Sequence, residues 1–411
     1  VGLIVQKFGG SSVADADRVK NVAARVVATR RAGHRVVVVV SAPGDMTDDL
    51  IRMARQISAH PPAREMDMLL ATGEQVSIAL LAMAIHAGGH EVISLTGGQA
   101  RIRTERVHSR ARIVDVDRRR IDQELASGRI VIVAGFQGIT DEEEITTLGR
   151  GGSDTTAVAL ASALGADVCQ IYTDVEGVFT ADPRLVPAAR KLREISYDEM
   201  LEMASSGALV LQTRAAELAK QYRVPLEVRS SFVDREGTMV TDGSIERRRV
   251  VTGVTHDRNV AKITATGVAD RPGAAHTIFR AVAERHVNVN MIIQSVPRHE
   301  RADISFTVAA SDMRAAVDAV RGVAAEVGAE EVLADDGVAM VSAVGAGMIS
   351  NPGVAARMFG ALAAAGINIE LIATSEIKVS SVIRASDVER AVQALHAEFQ
   401  LDREQREQEC P

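Results

Sequence analysis

From residue 250 onward the chain repeats itself, and two copies of one module constrain the fold more than any other feature. Gly267 lies 78 residues before Gly345, while Pro272/Pro352, Gly273/Gly353, Phe279/Phe359 and Asn288/Asn368 are each 80 apart. The segment VADRPGAAHTIFRAVAERHVNVNMIIQS thus answers AGMISNPGVAARMFGALAAAGINIELIATS, with two extra residues before the second proline. Self-similarity at one fixed period reads as a duplicated supersecondary unit. Each copy reads as strand, Pro-Gly helix entry, helix, strand, strand, helix, the ferredoxin-like βαββαβ order. The first copy ends on a strand near 330–334, whereas the second ends on a helix at 387–399 without a final strand. Residues 250–255 stand spare and are expected to complete the second sheet. The expected domains are 1–245, 250–336 and 337–401, with a charged, disordered tail at 402–411.

The first 245 residues read as α/β. Five valines in a row at 36–40 fit a strand buried on both faces of a parallel sheet. Further apolar strands at 1–8, 91–95, 130–134, 168–172 and 226–229 alternate with helices at 15–32, 65–87, 155–164, 197–205 and 207–221. Such alternation implies a mostly parallel sheet with helices on both faces. The helix at 65–87 is expected to break at Thr72-Gly73-Glu74-Gln75, with Met66 and Met68 as core. Asp141-Glu142-Glu143-Glu144 reads as the solvated tip of a hairpin.

Two glycine turns are shaped to hold anions. Gly149-Arg150-Gly151-Gly152-Ser153-Asp154 runs straight into an alanine-rich helix, where glycines free the backbone N–H groups and the helix start adds unpaired donors. Arg150 offers a bidentate donor, and Asp154 can orient cationic groups beside the anion; an ordinary turn with Ser153 or Asp154 as N-cap is the alternative. Lys7-Phe8-Gly9-Gly10-Ser11-Ser12 combines strand, turn and helix with a lysine at the strand end, although the lysine precedes the glycines and so makes no P-loop. Ser41 and Thr47 follow the valine strand at the same sheet edge, where ligands of open α/β sheets collect, with plain loop capping as the alternative. Glu74 can cap a helix or meet a ligand's ammonium group. The run from Thr173 and Asp174 to Phe179 and Arg184 reads either as a nucleotide shelf or as a β-turn.

A net charge of −7 and a pI near 5.9 argue against nucleic acid and anionic membranes as partners. With 3% aromatic residues and no Trp there is little material for base stacking. Cys169 and Cys410 suggest neither a disulfide framework nor a zinc site. No run is expected to span a membrane, and a cytoplasmic protein is expected.

Lys7-Phe8-Gly9-Gly10-Ser11-Ser12, Glu74, Gly149-Arg150-Gly151-Gly152-Ser153-Asp154-Thr155-Thr156 and the paired C-terminal modules together resemble the aspartate kinases, from residue 1 to about 401. The resemblance implies an amino acid kinase fold followed by two ACT domains, modules that in this family bind amino-acid effectors. The layout is similar to actinobacterial-type enzymes inhibited jointly by lysine and threonine. It implies transfer of the γ-phosphate of ATP to the side-chain carboxylate of L-aspartate, giving 4-phospho-L-aspartate and ADP, the first step of lysine, threonine and methionine biosynthesis. Lys7 would contact the transferred phosphate and Asp154 would orient the catalytic groups. Lys7, Phe8, Gly9, Gly10, Thr173, Asp174, Phe179 and Arg184 would bind ATP, while Ser41, Thr47, Glu74, Arg150 and Ser153 would hold aspartate. Asp270, Gly273, Ala274, Asn290, Ile292 and Gln294 match effector positions in the first repeat, and Val354, Asn368, Ile369 and Ser375 are their counterparts in the second.

By the same resemblance Mg2+ arrives with ATP, no separate protein metal site is expected, and the chain forms a homo-oligomer or pairs with a shorter chain made from the C-terminal half. Four positions depart from the family pattern: Pro43 stands where Met is frequent, Arg101 where Gly is, Phe179 where Tyr is, and Asn290 where Asp is. Alternative readings are an amino-acid sensor with a degenerate kinase domain, or a family member acting on glutamate, acetylglutamate or UMP.

Overall fold

The structure, a computed structural model, describes residues 2–208, 210–243 and 249–403. Among these, two compact units form: the first holds 2–178, 191–204 and 210–243, and the second holds 179–190, 205–208 and 249–403.

The first unit is built on an eight-stranded sheet in the order Glu194–Ser196, Thr238–Thr241, Leu226–Ser230, Val168–Thr173, Leu3–Phe8, Arg35–Val40, Ile130–Ala134 and Val92–Leu95. Every neighbouring pair is parallel except Leu226–Ser230 with Thr238–Thr241. Val36 to Val40 are all fully buried, as a central strand covered on both faces requires. Val36, Val38 and Val40 pack with Val22 and Val26 of the helix Ala16–Arg31 and with Ile78 and Leu81 of the helix Ala63–Ala87. Val37 and Val39 alternate to the other face, against which the helix Gly152–Leu164 packs. A small second sheet includes the hairpin of Gln137–Ile139 and Ile145–Thr147, whose tip carries the exposed acids 141–143.

Several expected boundaries move, each for a local reason. The helix Ala63–Ala87 runs unbroken through Thr72-Gly73-Glu74-Gln75. Gly73 is there for room: a Cβ would lie 2.7 Å from the Cβ of Ala42, in the loop after the valine strand. The helix expected at 155–164 begins at Gly152, because Gly151 at φ 70° supplies the cap in a left-handed conformation. Ser153 and Asp154 therefore sit inside the first turn and are not N-caps. The helix expected at 207–221 spans Thr213–Tyr222, with Gln212 in extended backbone as its cap, and Gly207 at φ 101° lies outside it. Contrary to expectation, one run is long and apolar enough to cross a bilayer, the helix Ala63–Ala87. Of its three acids, Glu65 is exposed in the first turn, while Asp67 and Glu74 are buried and bonded within the first unit, which identifies a core helix.

The second unit contains two four-stranded antiparallel sheets. One runs Met291–Gln294, Arg301–Val308, Ala261–Ala269, Glu331–Asp335; the other runs Leu371–Thr374, Lys378–Arg384, Val338–Val344, Gly253–Asp257. The two orders match strand for strand, with Gly253–Asp257, from before the first repeat, taking the last place in the second sheet. Ala181 and Val186 of the segment 179–190 join the core of the second repeat with Met358, Leu362 and Leu395. Thr180 Oγ1 lies 3.0 Å from His396 Nε2, both buried, and burial lowers the imidazole pKa. Of the expected tail, 404–411 lies outside the described residues.

Two substitutions test these backbone constraints. Gly73→Ala is expected to destabilise by about 1–3 kcal/mol through overpacking against Ala42, although an exposed helical position would gain about 1 kcal/mol from the same change. Arg101 adopts φ 57°, so Arg101→Gly is expected to stabilise by about 1 kcal/mol by removing a left-handed non-glycine residue. Urea unfolding midpoints measure both.

Candidate active site

Three loops meet beyond the carboxyl ends of the central strands. Lys7 ends Leu3–Phe8, and its Nζ lies 2.6 Å from Asp154 Oδ1 in the first turn of Gly152–Leu164. Both side chains are largely buried, so the pair fixes the ammonium group between the two glycine turns. A Cβ added to Gly9 would lie 3.6 Å from that Nζ, which places the charge beside the first turn. Gly10 is required for close approach, since a Cβ there would meet the Ala42 carbonyl at 2.7 Å and the Gly44 carbonyl at 3.1 Å. Gly44 N–H in turn donates to Gly10 O at 3.0 Å. Phe8 is buried and stacks on Tyr172 at 4.5 Å.

The second glycine turn is held from below. Gly149 and Gly151 take positive φ, and Ser153 abuts Gly135, where a Cβ would come within 2.6 Å of its Oγ. Two residues not singled out from sequence anchor this turn. Asp67, fully buried, accepts from Thr147 Oγ1 at 2.6 Å and from Ser109 N–H at 2.9 Å, with His108 Nδ1 also at 2.9 Å. Arg214 donates to the carbonyls of Leu148 and Ala111 at 3.0 and 2.9 Å, with its pKa lowered mainly by burial. A signal for Asp67 was present: it precedes Glu74 by seven residues, one helical face, in an otherwise uncharged apolar run. Arg150 is exposed, without an ion-pair partner among the described residues.

Glu74 is 3% exposed, and its Oε1 accepts from Ala42 N–H at 3.1 Å while Oε2 has no protein partner. Burial pushes its carboxyl up to about 7, against the smaller lowering effect of hydrogen bonds from its own and Ala42's backbone N–H. Ser77 Oγ, one helical turn further on, donates to Ser41 O at 2.7 Å and ties the same loop down. Thr47 lies in the first turn of the helix Met46–Ile57. The site thus gathers an ammonium group, turn N–H donors and a helix start around one acid, and provides a second acid poised to ionise when a cation approaches. Such a donor set suits phosphate and carboxylate oxygens together with an ammonium group.

Other expected site residues are distributed differently. Thr173 and Asp174 end Val168–Thr173 in the first unit, with Thr173 Oγ1 donating to Asp174 at 3.1 Å, whereas Phe179 and Arg184 belong to the second unit. Arg184 is bonded to Asp182 at 2.8 Å. In the first repeat, Asp270, Gly273 and Ala274 form the entry to the helix Ala274–Glu284, with Gly273 at φ 97°. Asn290 N–H donates to Thr307 O, and Ile292 and Gln294 lie on Met291–Gln294. In the second repeat, Val354 opens the helix Val354–Ala364, Asn368 and Ile369 precede Leu371–Thr374, and Ser375 follows it.

The Glu74 environment has a measurable pH signature. In the unfolded chain this carboxyl ionises near 4.5, so between that value and about 7 the folded protein keeps a proton the unfolded chain has lost. Stability from this source is complete below 4.5 and is lost as pH rises through about 7. Relative to Glu74→Gln, the wild type is expected to lose on the order of 3 kcal/mol between pH 4.5 and 7.5, read from urea unfolding at both ends.

Comparison with known proteins places this geometry. Residues 2–230 match the amino acid kinase family, and residues 263–325 and 341–399 each match the ACT domain. The chain is 53% identical over 408 residues to the aspartokinase of Mycolicibacterium smegmatis, covering 98% of this chain and 97% of that one. Its structure is similar to E. coli aspartokinase III in complex with aspartate and ADP, at TM-score 0.82 and 26% identity, covering 96% of this chain and 99% of that one. It is also similar to the same enzyme in complex with lysine and aspartate, at TM-score 0.75 and 27% identity, over 97% and 99% of the two chains. An amino acid kinase fold carrying a lysine–aspartate pair between two glycine turns, followed by two ACT domains, places this chain in the aspartokinase family.

Proposed function

We propose that this protein transfers the γ-phosphate of ATP to the side-chain carboxylate of L-aspartate, producing 4-phospho-L-aspartate and ADP. The observation that carries this reading is the Lys7–Asp154 pair, 2.6 Å apart between the two glycine turns, with Glu74 buried on the adjoining helix. The acceptor carboxylate is already ionised at neutral pH, so no general base is needed. The obstacle is the approach of one anion to another. Lys7 and the N–H groups of Gly9 and Gly10 stabilise the transferred phosphoryl group, and the start of the helix Gly152–Leu164 adds its positive end. Asp154 holds Lys7 in line. Arg150 binds the carboxylates of aspartate with Ser41, Thr47 and Ser153 beside them, and Glu74 receives its ammonium group, which draws the Glu74 proton off. Thr173 and Asp174 contact the nucleotide from the strand end.

No group of three or more metal-ligating side chains occurs among the described residues. Mg2+ carried by the nucleotide phosphates would need at most one or two carboxylates; Asp154 is the acid of the cradle that would reach it, and the ion would supply neutralisation of charge on the transferred group. The effector positions of the two repeats bind lysine and threonine, which lower turnover with a coupling of about 1–3 kcal/mol. The E. coli relative solved with lysine supports the first of these effectors. The enzyme opens lysine, threonine and methionine biosynthesis in the cytoplasm, as a homo-oligomer or with a shorter chain.

ADP release with L-aspartate, L-glutamate or UMP as acceptor tests the reading: turnover is expected only with aspartate, and is suppressed by lysine plus threonine. Lys7→Ala is expected to lower kcat roughly a hundredfold to a thousandfold with an unchanged circular dichroism spectrum. Near-normal turnover of that variant would remove Lys7 from the mechanism, and no turnover with any acceptor would favour an amino-acid sensor.

A further inference from the structure

The helix Ala16–Arg31 covers its sheet with one flank only. Val19, Val22, Ala23 and Val26 enter the apolar core, but Asn21, Arg25 and Thr29, spaced four residues apart on the other flank, line a groove against the strands Val168–Thr173 and Leu226–Ser230. The sheet answers with Gln170, Tyr172 and Arg229 where apolar residues would normally continue the core. The groove measures about 670 Å³, within the roughly 300–1,000 Å³ typical of small-molecule sites. Lys7 and Asp154 do not line it.

Its floor is bonded internally except for Gln6 Oε1, which is buried without a partner. Gln6 Nε2 donates to Thr29 Oγ1 at 3.0 Å and to Gln170 Oε1 at 2.9 Å, and Gln170 Nε2 donates to Glu227 at 2.8 Å. The mouth is different. Arg25 and Arg229 hold their guanidinium carbons 5.1 and 5.9 Å from the Tyr172 ring centre. Both reach Asp234 only at 3.5 and 3.4 Å, and that side chain is 86% exposed. Arg229 also donates to Arg235 O at 3.1 Å and stands 3.5 Å from Glu227, yet its Nε is buried without an acceptor. Two converging guanidinium groups, joined at the mouth by one exposed carboxylate and with the Arg229 Nε donor unused, form a fork for a tetrahedral dianion.

We propose that this groove binds a phosphate group, free or as a small monoester, seated between Arg25 and Arg229 in the place Asp234 now holds. The polar walls of Asn21, Thr29 and Gln170 leave room for a hydroxylated remainder. Isothermal titration of the full chain, saturated with ADP and at constant ionic strength, tests this with inorganic phosphate and glycerol 3-phosphate as probes. One site is expected. Arg25→Gln should weaken it roughly tenfold or more, the loss of a charge-assisted hydrogen bond, and Asp234→Asn should tighten it by removing the competing carboxylate. Tighter binding of glycerol 3-phosphate than of phosphate identifies a monoester site, and the reverse order identifies a site for the free anion. No binding of either probe to wild type and Asp234→Asn, or equal affinity in wild type and Arg25→Gln, overturns the proposal.

Discussion

The constraint on which the candidate site depends is the lack of room around Ala42. Its N–H is taken by Glu74, its Cβ touches the bare backbone of Gly73, and its carbonyl presses on Gly10. Three separate segments of the first unit are thereby held at fixed distances, with Glu74 the one long side chain that takes part. A close backbone packing of this kind is rigid because it has only steep repulsion on one side and lost contacts on the other. Lys7 and Glu74 inherit their positions from it.

Charge is distributed by the same economy. The site contains one acid that is paired, Asp154, and one that is buried with a free oxygen, Glu74. A carboxyl group pushed toward neutrality by burial is cheap to keep in an empty site and becomes ionised when a cationic ligand supplies the missing partner. Asp67 shows the opposite solution: equally buried, it is surrounded by donors and serves the backbone around it.

How much could be read from sequence follows from which signals are local. The duplication, the valine strand and the glycine turns were legible because each imposes a pattern on neighbouring residues. Gly73 misled, since a glycine inside a helix looks like a break until the loop it accommodates is seen. Asp67 and Arg214 escaped because their partners lie on loops distant in sequence, side chains and a backbone N–H for Asp67 and backbone carbonyls for Arg214. Lys7 and Asp154 were each placed on a glycine turn, but their meeting is a tertiary fact. The polar flank of Ala16–Arg31 was hidden for a related reason: Asn21, Arg25 and Thr29 look like an ordinary solvated face.

The segment 179–190 carries a consequence for how the gene can be divided. It lies in the sequence between Val168–Thr173 and Glu194–Ser196, yet Ala181 and Val186 are core residues of the second repeat. No single cut in the chain parts the two units cleanly. A polypeptide beginning near residue 250 would fold around an unfilled apolar seat, and one ending there would carry the orphaned segment 179–190, so the second unit depends on chain that precedes it by some sixty residues of sequence.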